Sequence, residues 1–281
     1  MREIRVEDIS NEVAKLCIDA NYNLGDDIIK EYKRGYERED NPVAKEVLKI
    51  LLENAKIAKR DEVPICQDTG IAVVFLELGQ DVRVVGGDLY KAINKGVREG
   101  YERGYLRKSV VKDPLIDRKN TEDNTPAIIH TEIVPGDKLK INVAPKGFGS
   151  ENMSQLKMMR PTDGVGGLKE FVLKVVKEAG PNPCPPIVVG VGIGGTVEKA
   201  ALLAKKSLLR PIGVHNNDDK FKELEEKLLE EVNALDIGPQ GLGGITTALA
   251  VNIETFPTHI AGLPVVVNIN CHVARHKEIV L

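Results

Sequence analysis

The sequence has no tryptophan and only four methionines. Beside its abundant lysine and glutamate, that composition points to a heat-adapted source. A surplus of either charge is also missing: 39 Lys and Arg stand against 42 Asp and Glu, for a net charge of -3 and a pI near 6.0. Without a basic surplus there is no electrostatic footprint for nucleic acid. No apolar run approaches the roughly 20 residues needed to span a bilayer, and the opening MREIRVEDIS has no signal-peptide core. These absences predict a cytoplasmic protein with neither a membrane nor a nucleic-acid partner. Its four cysteines then read as metal ligands, catalytic groups or buried side chains rather than as a disulfide framework. What is present is 42% hydrophobic content over 281 residues, enough for a substantial core in one large domain or two packed lobes. No low-complexity tract or internal repeat interrupts it.

The first third reads as helical. Val6 to Ala20 carries Ile9, Val13, Leu16, Cys17 and Ala20 at helical spacing. Asn41 can cap a second helix that has Pro42 in its first turn and leads into Val47, Leu48, Leu51 and Leu52. Cys17 falls on an apolar stripe, so it is assigned to the core. Strands follow at Ile71 to Leu78 and at Val82 to Val85, then a helix from about Asp88 to Arg103 with Tyr90, Ile93, Val97 and Tyr101 on one side. The polar stretch from Gly104 to His130, broken by Pro114 and Pro126, is long enough for an active-site excursion. AIIHTEIV and KLKINVA flank Pro135-Gly136-Asp137, a hairpin signal, and lead into the loop KGFGSENMS.

Gly166 to Ala179 is helical in spacing until NPCPP breaks it. Ile187 to Val191 then reads as a buried strand, Gly190 to Gly195 as a turn and Thr196 to Leu209 as a helix. Lys220 to Val232 makes a charged amphipathic helix, GPQGLGG a further glycine-rich turn, and LPVVVNIN a last buried strand ending at Cys271. The expected fold class is mixed α/β (α+β): a helical N-terminal part, then mixed sheet elements flanked by helices, with reactive groups held by loops. Residues 1-281 are expected to form a single domain, divisible into a helical lobe (1-60) and a mixed lobe (61-281).

The densest chemistry lies in Pro64 to Gly70, PICQDTG, where a thiol, an amide, a carboxylate and a hydroxyl are consecutive. It sits between a helix and a strand, where a rigid scaffold can hold a reactive loop. Two distant cysteines share its kind of setting. Cys184 is flanked by prolines, and Cys271 is followed by His272, Arg275 and His276. Neighbouring cations and aligned backbone N-H groups favour the thiolate, the form that binds metal. The chain has no CxxC pair, whereas structural zinc normally takes four ligands drawn largely from close-spaced pairs. Three isolated thiolates suit a 4Fe-4S cluster in which one iron keeps open positions and acts as a Lewis acid.

A competing motif is Gly190, Gly192 and Gly195, which satisfies GxGxxG between a predicted strand and helix, the arrangement of an NAD-binding Rossmann fingerprint. It begins far from a domain start, and no acidic strand end follows roughly 20 residues later. The same turn could serve an anionic group at a helix N-terminus.

PICQDTG, Leu106 to Ser109 (LRKS), PAIIH, PGD, KGFGSEN, GVGIGGT, GPQGLGG and PTHIAGLPVVVNINCH together resemble, in order, the cluster-binding portion of class I fumarate hydratases and the similar tartrate dehydratases. The resemblance runs from about Pro64 to His272. It implies that Cys66, Cys184 and Cys271 bind a 4Fe-4S cluster whose open iron takes a hydroxy-dicarboxylate. It further implies that Gln67, Arg107 and Gly149 of the KGFGS loop bind substrate, and that Asp68 and His259 are catalytic. Arg107 could grip one carboxylate bidentately and glycine-rich backbone the other. Asp68 could exchange a proton with the departing hydroxyl, with His259 orienting it. Family members of one chain continue into a second domain that supplies a base and further cationic contacts. The present sequence is therefore expected to be an alpha subunit completed by a beta subunit, in an alpha2beta2 assembly, acting on fumarate and L-malate. The alternatives are the alpha subunit of an L-tartrate dehydratase, a nicotinamide-dependent oxidoreductase, and a noncatalytic scaffold with a structural metal.

Overall fold

A computed structural model describes residues Met1 to Leu281. In chain order the elements are β1 (Arg2–Arg5), α1 (Val6–Tyr22), α2 (Asp26–Arg38), α3 (Pro42–Asp61), β2 (Ile71–Gly79), β3 (Val82–Val85), α4 (Leu89–Arg103), β4 (Ile128–Val134) and β5 (Leu139–Lys146). There follow α5 (Phe148–Glu151), β6 (Gln155–Met159), α6 (Gly164–Ala179), β7 (Ile187–Gly194), α7 (Val197–Ser207), α8 (Asp219–Asn233), β8 (Ala248–Phe256), β9 (Leu263–Asn270) and β10 (Lys277–Val280). This is the mixed helix and sheet class that the sequence pattern implies. The expected Asn41 cap forms, and Asp88 supplies a second. The Asn41 side chain accepts from the N-H groups of Val43 and Ala44 at the start of α3, and that of Asp88 accepts from Lys91 N-H at the start of α4. No helix is long and apolar enough to cross a membrane.

The chain divides into two compact units. The first comprises Met1–Gly25, Asn54–Phe148 and Arg275–Leu281, and the second Asp26–Glu53 and Gly149–Ala274. The helical N-terminal part is thus shared, with α1 in the first unit and α2 in the second.

In the first unit a four-stranded sheet has the order β10-β5-β2-β4. The hairpin expected of β4 and β5 does not form. β2 lies between them, parallel to β4 and antiparallel to β5. The physical reason is in β2 itself, where Ala72 to Leu76 are buried in succession. A strand apolar on both faces takes the interior place, and its more polar neighbours flank it. The turn at Pro135-Gly136-Asp137 then bonds to the end of β2 rather than closing a ladder, with Asp81 N-H donating to the Gly136 carbonyl (2.9 Å). Ile9, Val13 and Cys17 of α1 and Ile93, Val97 and Tyr101 of α4 join Ala72, Val74 and Leu76 in one core. Cys17 is wholly buried there.

The second unit holds a four-stranded sheet of order β6-β9-β7-β8, with β7 parallel to β8 and antiparallel to β9. Strand periodicity separates its faces. Val265, Val267 and Ile269 of β9 and Val189 and Val191 of β7 pack with α6 and α8, while Val266 packs with Ala200 and Ala204 of α7. Here the predicted boundary at Val191 needs correction, because β7 continues through Gly194. Gly190 and Gly192 are strand residues, not part of a turn. A Cβ at Gly190 would lie 2.2 Å from the Ala204 carbonyl oxygen, and one at Gly192 2.0 Å from that of Ala200. Their alternation with valine therefore admits α7 close to the sheet, which accounts for the first two glycines of the GxGxxG match by packing alone.

Candidate active site

The loop Pro64 to Gly70 is held mainly through its carbonyls. Asn54 Nδ2 donates to Ile65 O (2.9 Å), and Ile65 N-H donates to Asn21 O (3.0 Å). Beyond the cysteine, three consecutive carbonyls are each captured by a buried side chain. Arg275 Nη2 donates to Asp68 O. The Tyr101 hydroxyl is shared between Thr69 O (2.8 Å) and Gly70 O (3.0 Å), and Asn124 Nδ2 adds a bond to Gly70 O (3.2 Å). Burial, above all, raises the Tyr101 hydroxyl well above its ordinary value, with nearby Arg275 opposing and Asp68 reinforcing the shift. The group therefore stays protonated and donating. With each such bond worth about 1 kcal/mol net, the loop is fixed without being part of a ladder.

The side chains that this loop presents are those singled out in the sequence. Cys66 is part-buried, and its Sγ donates to the Gln67 amide oxygen (3.1 Å). The Asp68 carboxylate is oriented by two backbone donors, Gly70 N-H to Oδ1 (3.0 Å) and Phe148 N-H to Oδ2 (2.8 Å). It thereby joins the cysteine loop to the start of KGFGS. Gly70 itself requires glycine: its φ is 73°, and a Cβ would lie 2.6 Å from the Lys146 carbonyl carbon. The Thr69 hydroxyl donates to Arg107 O (3.1 Å), so the exposed Arg107 is tethered to the same loop. Asn124 completes the tether, since its Oδ1 accepts from Ser109 N-H (2.7 Å) while its Nδ2 holds Gly70.

In the second unit, sheet register places the other two thiols. β7 and β9 run antiparallel with Val188 opposite Asn270, so the residues just before β7 and just after β9 meet at one end of the sheet. There His272 N-H donates to Cys184 O (3.1 Å), and His272 Nδ1 contacts the same carbonyl (3.2 Å). Gln240 Nε2 also lies 3.4 Å from the same Nδ1, so that nitrogen donates to the carbonyl in one tautomer and accepts from the amide in the other. Tyr32 hydroxyl donates to His272 O (2.5 Å), and Gln240 Nε2 donates to Pro185 O (2.7 Å). Cys184 is exposed, and its φ is 55°. That is a left-handed conformation costing an L-residue about 1–2 kcal/mol, of the sort found where function constrains the backbone. Cys271 is part-buried.

Gly149 opens the second unit in the short α5, where a Cβ would meet only the Asn182 carbonyl oxygen at 3.6 Å. Glu151 of the same motif pairs with Lys205 of α7 and accepts from Asn268 Nδ2 (3.0 Å). His259 lies exposed in the turn after β8, where Ala261 N-H donates to its Nδ1 (3.2 Å). It lines an open cavity of about 590 Å³ with Thr196, Lys199, Phe256 and Thr258. The Thr258 hydroxyl donates to Gly195 O (3.0 Å) within that lining.

The four cysteines differ in their settings. Burial pushes the Cys17 thiol up to about 12, which keeps it protonated and inert, whereas Cys66, Cys184 and Cys271 stand outside the core. No group of three Cys, His, Asp or Glu side chains is gathered as a metal site. The donors are soft thiolates suited to iron and sulfide. The buried Arg275 guanidinium, with Nε and Nη1 lacking any hydrogen-bond partner, gives the Cys66 loop positive charge for an anionic group. The residues fit a cluster.

Sequence reasoning placed Tyr101 only on a helix stripe and Asn124 only in a turn-rich segment. The available signal was chemical: a tyrosine on a core-facing stripe must find a partner for its hydroxyl. Which partner it takes depends on residues some thirty positions away, and no local pattern encodes that.

The site residues on the page are thus a thiol-bearing loop that presents an oriented carboxylate and a tethered arginine on a mixed α/β scaffold. The model of the fumarate hydratase (Fumerase) family matches residues 10–280. Among curated relatives, a provisionally named L(+)-tartrate dehydratase subunit alpha of Methanocaldococcus jannaschii is 43% identical over 274 residues, covering 95% of each chain. The L(+)-tartrate dehydratase subunits alpha of Escherichia coli K12 and Shigella sonnei are each 31% identical over 278 residues, covering 98% of this chain and 91% of theirs. The chain belongs to the fumarate hydratase (Fumerase) family and is a hydro-lyase.

Proposed function

We propose that the chain is the alpha subunit of a cytoplasmic iron-sulfur hydro-lyase interconverting fumarate and L-malate. Cys66, Cys184 and Cys271 hold a 4Fe-4S cluster. The observation that carries this reading is the contrast among the cysteines: one is locked in the core with a raised pKa, while the other three lie at loop or strand ends beside fixed polar groups.

When bound, such a cluster supplies a Lewis-acidic iron for a substrate oxygen. The remaining work falls to the chain. Arg107, tethered through its carbonyl to Thr69, binds one substrate carboxylate, and the backbone at Gly149 with Gln67 orients the other end. Asp68 is already aligned by Gly70 and Phe148 N-H groups. It holds and returns the proton that travels with the hydroxyl, so little reorganisation accompanies the step. His259 accepts a backbone N-H at Nδ1, which leaves Nε2 as the protonated nitrogen of the neutral ring, able to donate to an oxygen of the site.

The named relatives are alpha subunits. A beta subunit in an alpha2beta2 assembly completes the site on this reading. Their names also favour a second substrate, L-tartrate, which differs from malate by one hydroxyl and would be read by a few polar contacts. The deciding experiment is an anaerobic assay of the chain reconstituted with iron and sulfide and joined by its partner subunit. Malate, fumarate and L-tartrate are run in parallel. Turnover of malate and fumarate well above tartrate supports the first reading, and the reverse preference replaces the substrate. An intact three-cysteine cluster with no lyase activity counts against both.

A further inference from the structure

Arg275 is only 3% exposed. Its Nη2 donates to the Asp68 carbonyl, while Nε and Nη1 are buried with no hydrogen-bond partner. None of the chain's ion pairs includes it, although buried cations are ordinarily paired with a carboxylate. A fixed positive charge therefore stands against the peptide two residues from Cys66, and no carboxylate forms an ion pair with it. A protein that wanted only to hold the loop could use a neutral donor, as it does at the next two carbonyls with Tyr101 and Asn124.

We propose that Arg275 is a positioning residue of the hydro-lyase site. Its Nη2 fixes the direction of the Asp68 peptide, and its buried charge, held in no ion pair, stabilises the negative charge gathered at the loop when an iron-sulfur cluster is bound. The second half rests on the iron-sulfur reading above; the first does not. Tyr101 and Arg275 then divide the labour, the tyrosine supplying order alone and the arginine order and charge.

The test uses the full chain in four forms: wild type, Arg275→Gln, Arg275→Lys and Tyr101→Phe. Amide hydrogen exchange at Thr69 and Gly70 is followed before loading, and the reduction midpoint of the bound cluster is titrated after anaerobic loading with iron and sulfide. Both Arg275 variants and Tyr101→Phe should speed exchange at the loop about tenfold, the effect of one lost hydrogen bond. Arg275→Gln should move the midpoint to lower potential, whereas Arg275→Lys and Tyr101→Phe, which keep the charge, should leave it near the wild-type value. A wild-type midpoint in Arg275→Gln, or equal shifts in the Gln and Lys variants, would overturn the charge role, and unchanged exchange in both Arg275 variants would overturn the positioning role. Should Arg275→Gln not fold, Arg275→Lys decides: faster exchange at a constant midpoint supports the proposal, and a lowered midpoint refutes it. Failure of the wild-type chain to take up iron and sulfide would instead refute the iron-sulfur reading and with it the charge role, leaving the exchange data to judge the positioning role.

Discussion

Cys66 sits in a loop whose carbonyls are taken one after another by the side chains of Arg275, Tyr101 and Asn124. Cys184 and Cys271 are placed by the register of two adjacent strands. The first arrangement depends on a few long-range side-chain bonds, the second on a backbone ladder shared with the core. A ladder tolerates the loss of any one side chain, because its bonds belong to the backbone. A loop pinned by side chains does not, so the Cys66 loop is where single substitutions should act on function with the least effect on the fold.

Several measurements would break or sharpen that comparison. The largest effect is expected from the thiols. Cys66→Ser, Cys184→Ser and Cys271→Ser should each abolish iron and sulfide retention after anaerobic reconstitution, while Cys17→Ser retains both. Loss in Cys17→Ser alone would mean that the ligands are misassigned.

Next comes Gly192→Ala. A Cβ 2.0 Å from the Ala200 carbonyl must push α7 off the sheet, so stability should fall by about 3 kcal/mol, the upper range for overpacking. Denaturant melts would register it. A variant as stable as wild type would show that the sheet's second face is loosely packed and would weaken the contrast between ladder and loop.

Tyr101→Phe should cost less, about 1–2 kcal/mol, and its effect on kcat should exceed that of any core substitution of equal cost, since it frees the loop rather than the sheet. Matching losses in stability and in turnover for Tyr101→Phe and a core variant would remove the distinction.

The smallest effect is confined to alkaline conditions. Burial raises the Cys17 thiol from 9.0 to about 12 in the folded chain. Above pH 9 the unfolded chain therefore loses a proton that the native state keeps. This contribution to stability is complete below pH 9 and is lost as pH rises from about 9 to about 12. Comparing unfolding free energy against pH for wild type and Cys17→Val should show a shallower alkaline decline in the variant. An unchanged slope would place the decline on other groups, such as the buried tyrosines.

Much of this architecture was legible in local pattern. The α1 stripe that contains Cys17, the Asn41-Pro42 start of α3, the span of α4 and the apolar strands β2 and β9 all follow from periodicity and capping chemistry. What was not legible concerns order in space. The Pro-Gly-Asp turn between β4 and β5 looked like a hairpin because turn chemistry is local, whereas the insertion of β2 between them is decided by which strand is most apolar on both faces. The glycines of GVGIGG looked like a phosphate-binding turn for a similar reason, since a residue that admits a helix and one that admits a pyrophosphate look alike without the neighbour. At the candidate site, the chemistry-bearing residues Cys66, Asp68 and Arg107 stood out by type. Their supports did not, because Tyr101, Asn124 and Arg275 are identified only by the carbonyls they reach.

The sheet of the first unit is closed by β10, which pairs with β5, and Arg275 comes just before that strand. On a ribosome, the chain would expose the Cys66 loop more than two hundred residues before Arg275 is made, with all of Gly149–Ala274 synthesised in between. Through that interval the β5 edge stays open and the loop waits for its third anchor. If the chain holds the proposed cluster, delivery of iron and sulfide is then timed to the end of translation, and a fusion or deletion at residues 275–281 should show itself first as poor metallation rather than as misfolding of the second unit.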